Sequence, residues 1–78
     1  METVEVLRKV KRELWIRNRF NSKITKGNYI VIDIPYELQE SFEIEVMIQM
    51  TLEDMAEVCD THFDYEFLFD QIKIYVLN

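Results

Sequence analysis

A chain of 78 residues, 49% hydrophobic and with one Gly, one Pro and one Cys, makes a single small domain (1–78) with short connections. The lone glycine excludes glycine-rich phosphate loops and dinucleotide fingerprints, and the lone cysteine excludes an internal disulfide and a multi-cysteine zinc site. The net charge of −6 conceals a division: residues 1–27 hold eight Lys or Arg against three Glu, a balance of +5, and residues 28–78 hold twelve Asp or Glu against Lys73, a balance of −11.

Residues 3–19 read as an amphipathic helix. Val4, Leu7, Val10 and Leu14 form its apolar stripe, with Thr3 in place to cap it. Arg8, Arg12 and Arg19 fall on one flank with Trp15 between them and the stripe. Ile16 and Phe20 leave the pattern, so the last turn is expected to open into extended chain. Residues 24–28 (ITKGN) form a turn, with Gly27 placed for positive φ.

Residues 29–34 (YIVIDI) are a β-branched strand that Pro35 ends. Residues 36–41 form a polar connector with room for one helical turn. In 42–50, Phe42, Ile44, Val46, Ile48 and Met50 alternate with Glu43, Glu45, Met47 and Gln49, which predicts a half-buried strand. A single long helix over 35–63 is the alternative, because Ile44, Ile48, Leu52, Met55 and Cys59 also keep helical spacing. Against it, Glu45 would point into that stripe, and Val46, Met47 and Met50 out of it.

Thr51 then caps a second helix that runs to about His62, with Glu53 and Asp54 at the positive end of its dipole. Residues 65–77 are extended. Tyr65, Phe67 and Phe69 alternate on one parity, and Ile72, Ile74 and Val76 on the other. The slip at Asp70–Gln71 is either a bulge or a two-residue turn, and the absence of glycine there favours the bulge.

The expected fold is therefore α+β: one two-layer domain, order α-β-β-α-β, with a mostly antiparallel three-stranded sheet and both helices on one face. The second sheet face would carry Tyr29, Val31, Met47, Tyr65 and Phe67, an apolar surface suited to a homodimer or another partner. No apolar run approaches the roughly 20 residues of a membrane span, and the charged N-terminal stretch lacks the apolar centre of a secretory signal. A cytoplasmic setting is expected.

No catalytic signature emerges, and neither an enzyme, a cofactor nor a metal is expected. Cys59 and His62, three apart, could meet on one helix face, but they are the only Cys and His, and Cys59 lies on the apolar stripe. The carboxylates Glu43, Glu45, Glu53, Glu57, Asp60 and Asp64 lie along successive elements and carry the functional expectation. Spaced carboxylates can dock in a Lys- and Arg-rich groove that normally holds a nucleic acid, with Tyr36, Tyr65 and Phe67 as anchors. The expected function is a non-enzymatic module that occludes or regulates a basic partner protein. In size and charge the chain is similar to small acidic proteins of phages and mobile elements, including nucleic-acid mimics and anti-CRISPR proteins. No motif carries a likeness to any one family.

The alternative is a nucleic-acid-associated regulator acting through Arg8, Arg12, Trp15 and Arg19, since arginines with an aromatic bind phosphates and stack on bases. The −11 balance of the remaining chain disfavours it, and no helix-turn-helix, RNP or zinc-finger pattern is present. The plainer role for these arginines is pairing with the protein's own carboxylates.

Overall fold

The computed structural model describes residues 2–39 and 41–77. Its elements are α1 (Thr3–Asn18), β1 (Ser22–Ile24), β2 (Tyr29–Asp33), a 3-10 turn (Tyr36–Leu38), α2 (Phe42–Cys59), β3 (His62–Phe67) and β4 (Gln71–Leu77). The class is α+β as expected. The sheet has four antiparallel strands rather than three, in the order β1-β2-β4-β3.

α1 buries Val6, Leu7, Val10 and Leu14, so Val6 takes the place that spacing assigned to Val4. Thr3 is the first helical residue and does not cap; Glu2 holds the N-cap position without a side-chain hydrogen bond. The helix stays regular through Ile16 and stops at Arg19, whose left-handed φ of 58° turns the chain. Phe20 then packs back onto the core.

β1 was not expected as a strand. Its three residues pair with β2 through a tight connection in which the Asn28 N–H donates to the Thr25 carbonyl at 3.0 Å. The residue with positive φ is Asn28, at 60°, and not Gly27. Asparagine tolerates this region well. Gly27 serves another purpose: a Cβ there would sit 2.9 Å from Cε1 of Tyr29. Its missing side chain makes room for that ring.

The largest correction concerns 42–50, which is the first half of α2 and not a strand. Ser41 provides the N-cap, its Oγ accepting from the Glu43 N–H at 3.3 Å. Glu43 and Glu45 sit at the positive end of the helix dipole, where carboxylates are favoured. The apolar stripe is Ile44, Ile48, Leu52, Met55 and Cys59, and Val46 and Met50 do point outwards, at 50% and 61% exposure. The sheet gains its remaining strands from 22–24 and from the C-terminal hairpin, so nothing requires 42–50 to pair.

Thr51 consequently lies inside α2 rather than at its start. It is 2% exposed, donates back to the Met47 carbonyl at 3.0 Å and accepts from Asn18 Nδ2 at 3.0 Å. This joins the C-terminal end of α1 to the middle of α2. α2 ends at Cys59, short of His62, where Asp60 adopts φ 49°. Residues 65–77 form a hairpin, not a bulged strand. Leu68 donates to the Gln71 carbonyl at 2.8 Å across the two-residue loop Phe69–Asp70. Neither loop residue has positive φ, so no glycine is needed.

Ile30, Ile32, Ile72 and Ile74 from the two central strands form one buried cluster with the helix stripes. The register sets Tyr65 opposite Ile74 and Phe67 opposite Ile72, so both aromatics face the helices. Met47 belongs to α2. The expected apolar second face is therefore absent. By parity the open face instead carries Lys23, Tyr29, Val31, Lys73, Tyr75, Asp64 and Glu66.

Ile48 and Val46 share a parity, so a strand would bury both, whereas α2 buries only Ile48. Ile48→Ala should cost about 3 kcal/mol in denaturant unfolding, and Val46→Ala less than about 0.5 kcal/mol. Equal losses would contradict the helix.

Candidate functional site

The sequence's charge division becomes a spatial one. α1 packs over β1 and β2, and α2 over β3, so the basic N-terminal third occupies one side of the molecule and the acidic α2–β3 unit the other.

The six carboxylates singled out by sequence do not form one face. Glu53, Glu57 and Asp60 recur at three- and four-residue spacing along the outer surface of α2, all exposed. Glu45 is half-buried on the flank facing β3, where it accepts from the Tyr65 hydroxyl at 3.2 Å; Gln49 in turn donates to that hydroxyl. Asp64 lies on β3, its Oδ1 accepting the Tyr65 N–H at 2.9 Å. Glu43 sits in the first turn of α2, about 25 Å along the helix from Asp60. Glu40, a further carboxylate of the acidic 28–78 stretch, lies outside the described residues.

Two of these carboxylates are placed against local physics. Glu57 and Asp60 occupy the last turn and C-cap of α2, the negative end of its dipole, with no basic residue in that turn. Neither engages an ion pair among the described residues, where Arg17 alone forms salt bridges, to Glu13 at 2.8 Å and to Asp54. These bonds, Asp54's foremost, raise the Arg17 pKa further.

On the basic side, Arg8, Arg12, Trp15 and Arg19 are all exposed, and the Arg19 guanidinium stacks over Trp15 at 5.4 Å. The plain expectation that Arg8, Arg12 and Arg19 pair internally fails among the described residues; Arg17, which the spacing did not single out, makes the ion pairs instead. Cys59 and His62 do not share a helix face: Cys59 is buried at the end of α2, and His62 begins β3.

Of the expected anchors, Tyr36 is 85% exposed and stands beside Phe69, Glu37 and Gln39 around one hollow. Tyr65 and Phe67 are half-buried against the helix layer, whereas Phe42, Val46 and Met50 are exposed at four-residue spacing on α2. The alternating pattern of 42–50 hid that ridge.

Sequence reasoning also missed a network on the open face. Tyr29 and Tyr75 pack with ring centroids 5.3 Å apart, and Lys73 lies over the Tyr29 ring at 5.8 Å. The Tyr75 hydroxyl donates to Glu66 at 2.7 Å. The β2–β4 register sets Tyr29 opposite Tyr75, and the β3–β4 register brings Glu66 within reach of Tyr75.

Among protein-family models, curated proteins and solved structures, none matches this chain.

The hydrogen bond to Glu66, followed by desolvation, pushes the Tyr75 phenol up to about 12 from 10.0. The folded chain thus holds this proton more tightly than the unfolded chain. The bond's contribution to stability is complete below pH 10.0 and is lost as the pH rises through about 12. Glu66→Gln should return the phenol towards its ordinary value in a spectrophotometric phenolate titration resolved by comparison with Tyr75→Phe.

Proposed function

We propose that this chain is a small non-enzymatic binding module whose acidic α2–β3 side captures a basic partner protein and occludes the surface by which that partner holds a polyanion. The observation that carries the reading is the placement of Glu53, Glu57 and Asp60. They are exposed and lack ion-pair partners among the described residues, and Glu57 and Asp60 stand at a helix C-terminus that opposes negative charge. A carboxylate kept where it destabilises its own helix is expected at a functional surface. The carbonyl end of α2 adds its own partial charge to theirs, which deepens the negative potential offered to a cationic groove.

The exposed ridge of Phe42, Val46 and Met50 continues along the same outer side of α2 and supplies apolar contact next to the charge. Such a module suits a cytoplasmic inhibitor of host nucleic-acid machinery carried by a phage or mobile element, an anti-CRISPR protein for example. Charge and contact, rather than a reacting group, do the work.

A second reading is favoured by one observation: Arg8, Arg12 and Arg19 have no ion pair among the described residues, and Arg19 is stacked on exposed Trp15. That is the equipment for phosphate and base contact. Under this reading labelled DNA or RNA binds with a steep salt dependence, and Arg12→Glu abolishes binding while acidic-side reversals do not.

For the preferred reading, the combined reversal Glu53→Lys, Glu57→Lys and Asp60→Lys should reduce capture of the partner from a native-host lysate at least tenfold with an unchanged circular dichroism spectrum. Unchanged capture removes this surface from consideration. Separately, Asp60→Asn should raise the unfolding free energy by about 0.5 kcal/mol, because it removes charge from the helix end while asparagine still accepts the left-handed φ. Chemical denaturation measures it, and a loss of stability would show that the aspartate is kept for the fold.

A further inference from the structure

β3 is an edge strand of the sheet, and its register fixes which backbone groups are free. Leu68 donates to the Gln71 carbonyl, so on the antiparallel ladder Glu66, Asp64 and His62 are the residues that bond to β4. The N–H and C=O groups of Phe63, Tyr65 and Phe67 therefore point away from the sheet. The Tyr65 N–H bears this out, since it is met by the Asp64 side chain and not by a strand. No described strand pairs with this edge.

The two edges of the sheet are not alike. β1 spans three residues with Lys23 at its centre, which are ordinary protections against strand addition. β3 spans six residues and has neither lysine nor proline. Among the described residues, only the Asp64 side chain meets an outward N–H of this strand, that of Tyr65.

A groove of about 390 Å³ runs between this strand and α2, lined by Leu52, Ala56 and Phe63 and by the polar Gln49, Glu53, His62 and Tyr65. Alternate side chains of an added strand would enter it. Leu52, Ala56 and Phe63 offer apolar contact there and Glu53 a carboxylate, a pairing that suits an arginine or lysine, whose stem is apolar and whose head is charged. The other set of side chains would lie by Asp64 and Glu66 on the open face. Both faces of an incoming strand thus meet carboxylates. A second copy pairing through its own β3 would set Asp64 and Glu66 against Asp64 and Glu66, which like-charge repulsion disfavours.

We propose that the outer edge of β3 takes an extended arginine- or lysine-rich segment of the partner as an added strand, with its cations held by Glu53 in the groove and by Asp64 and Glu66 on the open face. This mode of binding rests on the proposed function, because it presumes a basic partner. Main-chain pairing then provides affinity, and the carboxylates select the sequence.

The experiment titrates the full chain with a fluorescent peptide of about eight residues that alternates arginine and valine. Three further probes are its copy with alternate backbone nitrogens methylated, the same methylated copy shifted by one residue, and a glutamate-for-arginine copy. The expected result is that the plain peptide binds and that one methylated copy, the one that blocks the inward-facing N–H groups, binds at least tenfold more weakly, at roughly fivefold for each hydrogen bond lost. The Phe63 and Phe67 amides should gain protection from hydrogen exchange in the complex. Glu53→Lys should weaken the plain peptide several-fold.

Equal binding by the plain and both methylated peptides overturns strand addition and leaves the acidic docking surface standing. Binding that ignores Glu53→Lys, or that accepts the glutamate peptide equally well, overturns the selection of a basic partner. Failure of all four peptides overturns the strand-addition proposal, and the lysate capture experiment then judges the acidic surface alone.

Discussion

The buried hydroxyl of Thr51 ties the architecture together. In the middle of a helix a threonine oxygen has no free backbone donor of its own, and burial denies it water. Here it donates to Met47 and accepts from Asn18. Asn18 is the last residue of α1, so one hydrogen bond fixes where α1 ends along the length of α2. The Arg17–Asp54 pair repeats the tie nearby, in water and with correspondingly less weight. With the helices held side by side, their stripes close over Ile30, Ile32, Ile72 and Ile74, and the sheet can present a single apolar face.

That arrangement also accounts for what the sequence revealed and what it hid. α1 and β2 were legible because their periodicities are clean and their ends are marked by turn-forming residues or by Pro35. The stripe of Ile44, Ile48, Leu52, Met55 and Cys59 was legible as core whatever secondary structure carried it. The state of 42–50 was not legible. Val46 and Met50 are apolar yet exposed, which lent the segment a false two-residue period, and Ser41, its cap, looked like part of a connector. The C-terminal hairpin was misread for a different reason: its turn is of a kind that needs no glycine. β1 is too short to show any period at all.

The shared surface of Glu53, Glu57 and Asp60 was legible, because the expected helix after Thr51 already carries all three on its outer side. Glu45 was not, because only its place in the first half of α2 turns it towards Tyr65. The edge of β3 had no signature in the sequence, since edge status depends on strand order, and that order follows from the C-terminal hairpin and from β4 pairing with β2.

The separation of the α1–β1 side from the α2–β3 side has a consequence beyond any contact surface. A molecule with opposite charges on its two sides carries a large electric dipole moment in addition to its net charge of −6. In the field of a strongly charged partner such a molecule rotates before it touches, and the rotation is set within a Debye length of roughly 8 Å at physiological salt. The chain would meet a cationic groove already turned acidic side first, and a nucleic acid basic helix first. Orientation is thus fixed only in the last stretch of an approach, and the sign of the surface being approached decides which side of the chain leads.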